Sequence, residues 1–129
     1  MNQVSLAGAG DRRITFGPEV DARDVPRVLA GYDVLCCPSL ALEGGPTVAI
    51  EAHAVGTPVI GSRIGGLAEI VSDGVDGRLT TPGDCGALAK VLREIAENPA
   101  GTVDRWRTAL PQARTMDAVA DDYLKVYAA

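Results

Sequence analysis

Glu43 and Glu51 are the only acidic residues of the stretch LEGGPTVAIEAHAVG, residues 42–56, and they stand eight positions apart. Between them run Gly44, Gly45, Pro46, Thr47 and Val48. Paired glycines let a backbone come close to a ligand and take dihedrals that other residues avoid. Proline suits the first turn of a helix, so a helix is expected over 46–55, with Gly56 as its stop. The free N–H groups at its start, those of Thr47 and Val48 among them, would point back into the loop and suit a phosphate. Glu51 comes one helical turn after Thr47, where a carboxylate can accept two hydrogen bonds from vicinal hydroxyls such as those of a ribose. Glu43, on the loop side, would lie across the phosphate, near a sugar or an acceptor. Phosphate, ribose and sugar held in this way describe a nucleotide sugar. The spacing alone is also what a common Gly-Gly-Pro loop and two solvated glutamates would give.

Other reactive side chains read more plainly. His53 is the single histidine and falls on a different helical face from Glu51, which suggests a structural or surface residue. Cys36, Cys37 and Cys85 have no metal-ligand spacing and read as small buried or half-buried thiols. No metal site is expected. Arg63 and Arg78 flank apolar runs and read as surface cations, with phosphate contact as the alternative.

The elements that would position the loop alternate in type. Strands are expected at 13–17, 33–39, 58–62 and 77–81, the second continuously apolar, as a strand covered on both faces would be. Helices are expected at 23–32, 46–55, 66–71 and 84–98, with another helical piece near 102–110. The helix at 84–98 has Asp84 as N-cap and Leu88, Val91, Leu92 and Ile95 on one face. A closing helix follows Thr115, with Val119, Tyr123, Val126 and Tyr127 on one face. Asp73-Gly74 and Asp76-Gly77 read as turns. Alternating strands and helices imply βαβ units and a parallel sheet with flanking helices, an α/β domain of Rossmann-like type.

Length and charge narrow the function classes. The chain has 129 residues, enough for one core. Its net charge is −5 with no basic stripe, which argues against nucleic acid. No apolar run approaches the ~18 residues of a membrane span, and the first ten residues lack the pattern of a signal peptide. A cytoplasmic location is expected.

The stretch DVLCCPSLALEGGPTVAIEAHAVGTPVIGSRIGGLAEIVSDGVDGRLTTPGD, residues 33–84, resembles the C-terminal, donor-binding domain of the retaining glycosyltransferases called group 1 or family 4. The two spaced glutamates fit the family signature. Around them stand Pro38-Ser39 at a strand end, the run Gly56 to Ile60, Gly65-Gly66 with Glu69, the run Asp73 to Leu79, and Pro82-Gly83-Asp84. The resemblance covers roughly residues 12–129 and implies the GT-B fold, two Rossmann-like domains facing across a cleft. It further implies that Glu51 holds the ribose of the donor and that Glu43 lies beside the transferred sugar as the catalytic-site glutamate. Gly44, Gly45, Pro46, Thr47 and Val48 would meet the sugar and diphosphate, and Phe16-Gly17 would lie near the base. In the family one residue separates that phenylalanine and glycine, whereas here they are adjacent.

On this resemblance residues 1–129 form a partial donor domain. The first βαβ, with the family's basic pair, and the whole N-terminal acceptor domain would precede it. The donor would be a nucleoside-diphosphate sugar, used without cofactor or metal. The acceptor would be a hydroxyl of a sugar, lipid-linked or small molecule reached through the N-terminal domain, in polysaccharide, glycolipid or related glycoconjugate synthesis. The chain alone would be inactive. The full-length parent would be cytoplasmic or peripheral at the inner face of the membrane. Homo-oligomers through an exposed strand edge or the last helix would follow from the exposed surfaces. A sugar-nucleotide epimerase of the same architecture, or a non-catalytic α/β binding module, are the alternatives. A receiver-like module is disfavoured because Asp33 opens its strand rather than closing it.

Overall fold

The computed structural model describes residues 10–128. Three parallel strands form its sheet: β1 (Leu35–Cys37), β2 (Val59–Ser62) and β3 (Gly77–Thr80), in the order β1-β2-β3. Leu35 pairs with Val59 and Cys37 with Gly61; Val59 pairs in turn with Gly77, and Ser62 with Thr80. Parallel neighbours need crossover connections. Here α1 (Val25–Leu29) precedes β1, α2 (Thr47–Ala54) joins β1 to β2, and α3 (Gly65–Ile70) joins β2 to β3. After the sheet come α4 (Cys85–Glu97), a π-helical turn (Ala100–Asp104), α5 (Arg105–Ala109) and α6 (Met116–Tyr127).

Two apolar layers flank the sheet because successive residues of a strand face opposite sides. Val59 joins Leu29, Ala49, Ala52, Leu67, Val71 and Leu79 in the layer beneath α1, α2 and α3. Its neighbour Ile60 joins Val91 and Trp106 on the side of α4 and α5, with Leu88 and Ile95 packed against them. Every residue of β2 is buried, so helices cover both of its faces. This is the α/β, Rossmann-like arrangement that the alternating pattern implies.

The caps and turns explain where elements begin. The Asp84 carboxylate accepts from the Ala87 N–H at 2.8 Å and starts α4. The Thr115 hydroxyl accepts from the Ala118 N–H at 3.2 Å and starts α6. Between α3 and β3 the Asp76 carboxylate, almost fully buried, accepts from the Ser72 N–H at 2.8 Å. Asp73 accepts from the Leu79 N–H at 3.0 Å and pairs with Arg63.

Three expectations need correction. Residues 13–17 form no strand: no neighbouring strand pairs with them, and Ile14 and Phe16 stay exposed. An isolated extended segment has nothing to take its backbone hydrogen bonds. Strand β1 is shorter than expected and only half-buried, since it is an edge of the sheet among the described residues. For the same reason Cys36 is exposed, and Cys85 is exposed at the first turn of α4, so only Cys37 is the half-buried thiol expected of all three.

Candidate functional site

The loop after β1 reaches α2 through Glu43, Gly44, Gly45 and Pro46, and Pro46 stands at the N-cap position with no side-chain capping bond. Helical geometry leaves the N–H groups of Thr47 and Val48 without partners inside α2. Both groups therefore face the loop, as the sequence implies. Glu43, Gly44, Gly45 and Thr47 are exposed, while Pro46, Val48 and Glu51 are half-buried. Along the chain the two glutamates thus bracket the free end of one helix, Glu43 on the loop before it and Glu51 a turn inside.

The position of Glu43 is set from the far side by α3. The Gly66 N–H donates to the Glu43 carbonyl at 2.9 Å. A Cβ on Gly66 would stand 2.5 Å from both the Gly44 carbonyl oxygen and the Gly45 Cα. The Glu43 charge also reaches the end of β1. Burial pushes the Cys37 thiol up, and the neighbouring Cys36 and the Glu43 carboxylate add to the effect. Gly65-Gly66 belongs to the family pattern, but its mechanical part was not legible beforehand. Consecutive glycines just after a buried strand were the available signal, since they mark a close backbone approach as readily as a turn.

A cavity of about 330 Å³ opens at the carboxyl ends of the strands, bounded by Pro38, Leu40, Ser62, Thr80, Asp84 and Cys85. This is where ligands enter open α/β sheets. Phe16 and Gly17 lie in the exposed irregular stretch, and the strand end that was to present them does not form.

The remaining polar candidates resolve structurally. Arg63 is paired with Asp73, and Arg78 reaches Glu94 at 3.5 Å. Burial pushes Asp73 upward, but the Leu79 N–H and Arg63 outweigh it and hold the carboxyl below its usual range. His53 is buried in α2, its Nε2 without a hydrogen-bond partner. Burial lowers its pKa, against an opposing pull from the Asp76 carboxylate, so the ring is held neutral.

The parallel sheet with helices on both faces is the Rossmann-like α/β arrangement of GT-B glycosyltransferases. The sequence profile of the family described as "Glycosyl transferases group 1" matches residues 6–112, and the chain belongs to that family. It is similar to the D-inositol 3-phosphate glycosyltransferase of Streptomyces coelicolor, 42% identical over 86 residues, which are 67% of this chain and 19% of the relative. The enzyme of the same name from Streptomyces avermitilis is 36% identical over 118 residues, 90% of this chain and 25% of the relative. Among solved structures, HepE of Anabaena in complex with UDP and glucose superposes with a TM-score of 0.80 at 26% identity, over 98% of this chain and 35% of that one. Sucrose-phosphate synthase of Thermosynechococcus elongatus gives 0.79 at 30% identity, over 96% and 32%. The chain therefore spans about a fifth to a quarter of the length of these curated relatives.

Proposed function

We propose that this chain is the donor-binding part of a glycosyltransferase that moves a sugar from a nucleoside-diphosphate sugar to a hydroxyl acceptor with retention and without a metal. The observation that carries the reading is the placement of Glu43 and Glu51 on either side of the free α2 N-terminus, in a chain of this family. Glu51 accepts the ribose hydroxyls. Gly44, Gly45 and Pro46 bring the backbone against the sugar, and the N–H groups of Thr47 and Val48 meet the diphosphate. Those donors oppose the negative charge that grows on the diphosphate as the glycosidic bond breaks, where preorganised dipoles act most strongly. Glu43 lies beside the transferred sugar and steadies the electron-poor centre or orients the acceptor hydroxyl. Phe16, 52% exposed, offers a ring face to the base, with open backbone at Gly17 beside it.

The acceptor, a sugar, lipid-linked or small molecule, is met by a separate domain. The reaction runs in the cytoplasm or at the inner face of the membrane. No helix among the described residues is long and apolar enough to cross a membrane. A panel of UDP- and GDP-sugars, with product detected by mass spectrometry, tests the reading. The 129-residue chain alone gives no transfer, and a longer protein containing it with an acceptor domain does. Turnover by the chain alone, or none by the longer protein with any donor, would count against it.

A further inference from the structure

The segment carrying Glu43 has no helix or strand of its own, yet an exposed loop must hold a reacting group to within a fraction of an ångström. We propose that Gly65 and Gly66 are the positioning residues that fix this loop, a role that rests on the donor-site reading for its functional half. The Gly66 N–H, free at the start of α3, donates to the Glu43 carbonyl at 2.9 Å. The bond ties down the backbone of Glu43 and leaves its exposed side chain free to turn toward a ligand.

Contact closes in from two sides. A Cβ on Gly65 would lie 2.4 Å from the Glu43 carbonyl oxygen and 3.2 Å from its nitrogen. Gly65 also has φ +52°, a left-handed conformation that an L side chain resists. A Cβ on Gly66 would lie 2.5 Å from Gly44 O and Gly45 Cα. All of these are backbone atoms, so no side chain can rotate away to make room. Only Arg63 and Ile64 separate Gly65 from Ser62, which is buried at the end of β2, so the two glycines stand close to a fixed strand end. Gly65 and Gly66 touch no reacting atom; they act through Glu43, Gly44 and Gly45.

The test uses the 15N-labelled 129-residue chain with UDP and GDP as probes, beside Gly66→Ala and Val91→Ala. Val91 is buried in the opposite layer, so its variant reports a general loss of stability. Gly66→Ala should move the amide signals of residues 43–48 while leaving those of α4 in place, and should weaken nucleotide binding about tenfold or more. Val91→Ala should melt earlier yet bind as the wild type does. Equal affinity in Gly66→Ala and wild type, or an equal loss in Val91→Ala, overturns the positioning role. Should Gly66→Ala not fold, hydrogen exchange of the wild-type Gly66 amide decides: protection well above that of Gly44 supports the tie, and exchange as fast as Gly44 overturns it. Should the wild type bind neither nucleotide, the donor-site reading fails, while the shift pattern and the exchange still decide whether Gly66 holds the loop.

Discussion

Gly77 packs against the backbone of Val59 so closely that a Cβ on it would lie 2.2 Å from the Val59 carbonyl oxygen and 3.0 Å from the Val71 side chain. The two residues are register partners in the pairing of β2 with β3, and Val59 is fully buried. Gly77→Ala must therefore push β3 from β2 or displace Val71. Overpacking of this kind costs about 3 kcal/mol at the upper end of its usual range. Denaturant unfolding should show a loss of that order; a loss below about 0.5 kcal/mol would mean that β3 shifts freely.

His53 sets an acid limit to stability. Burial lowers its folded pKa below the ordinary 6.5, so the unfolded chain binds more protons once the pH drops beneath that value. The stabilisation is complete above about pH 6.5 and is lost as the pH falls through the folded pKa. Asp73, held below its ordinary 3.8, adds a separate loss in a more acidic window. His53→Leu removes the unpaired Nε2 and should raise stability by about 1 kcal/mol at neutral pH while flattening the slope just below pH 6.5. Melting curves between pH 7 and 5 check both, and an unchanged slope would refute the buried neutral ring.

How much was legible in the sequence follows from where the physics is local. Strand β2 was legible because the short apolar run of Val59 and Ile60 follows the helix stop at Gly56, where the alternating pattern calls for a strand. Helices α4 and α6 were legible because Asp84 and Thr115 cap through their own side chains. The strand expected at 13–17 failed because pairing is not local: Ile14 and Phe16 have the residue types, but no neighbouring strand pairs with them. The candidate site divides along the same line. Pro46, Thr47 and Glu51 are related by one helix, so spacing sufficed for them. The contact of Gly66 with Glu43 spans two elements, and only the structure could bring them together. The sequence leaves His53 either structural or at the surface because α2 is small or apolar on several faces, so helical phase alone does not say which one packs.

In a longer protein with transfer activity, Glu51→Gln and Glu43→Gln should separate. On the proposed reading Glu51 meets the nucleotide, which changes little during reaction, so its loss should raise the Michaelis constant for donor and spare kcat. On the same reading Glu43 meets the reacting sugar, so its loss should lower kcat by about a hundredfold while donor binding holds. Steady-state kinetics of the two variants decides, and identical profiles would remove the division of roles.

The chain should self-associate. Strand β1 presents an unpaired edge among the described residues, and α6 has no buried residue. Met116, Tyr123, Leu124, Val126 and Tyr127 are all more than 60% exposed. At roughly 25 cal/mol per Å², covering a few hundred Å² of such surface is worth several kcal/mol. Sedimentation at micromolar concentration should show a dimer or larger species, reduced by Tyr123→Lys with Tyr127→Lys. A single 13.3 kDa species in the unaltered chain would contradict this.

The most direct measurement of the donor site is calorimetric titration of the chain with UDP, GDP and their sugar conjugates, beside the corresponding 2′-deoxynucleotides. At least one ribonucleotide should bind saturably, and removal of its 2′-hydroxyl should weaken binding about tenfold or more, the worth of one hydrogen bond to a charged group. In Glu51→Gln that preference for ribose should largely vanish. No saturable binding of any nucleotide, or a ribose preference unchanged in Glu51→Gln, would contradict the assignment of Glu51 and the α2 N-terminus to a nucleotide sugar.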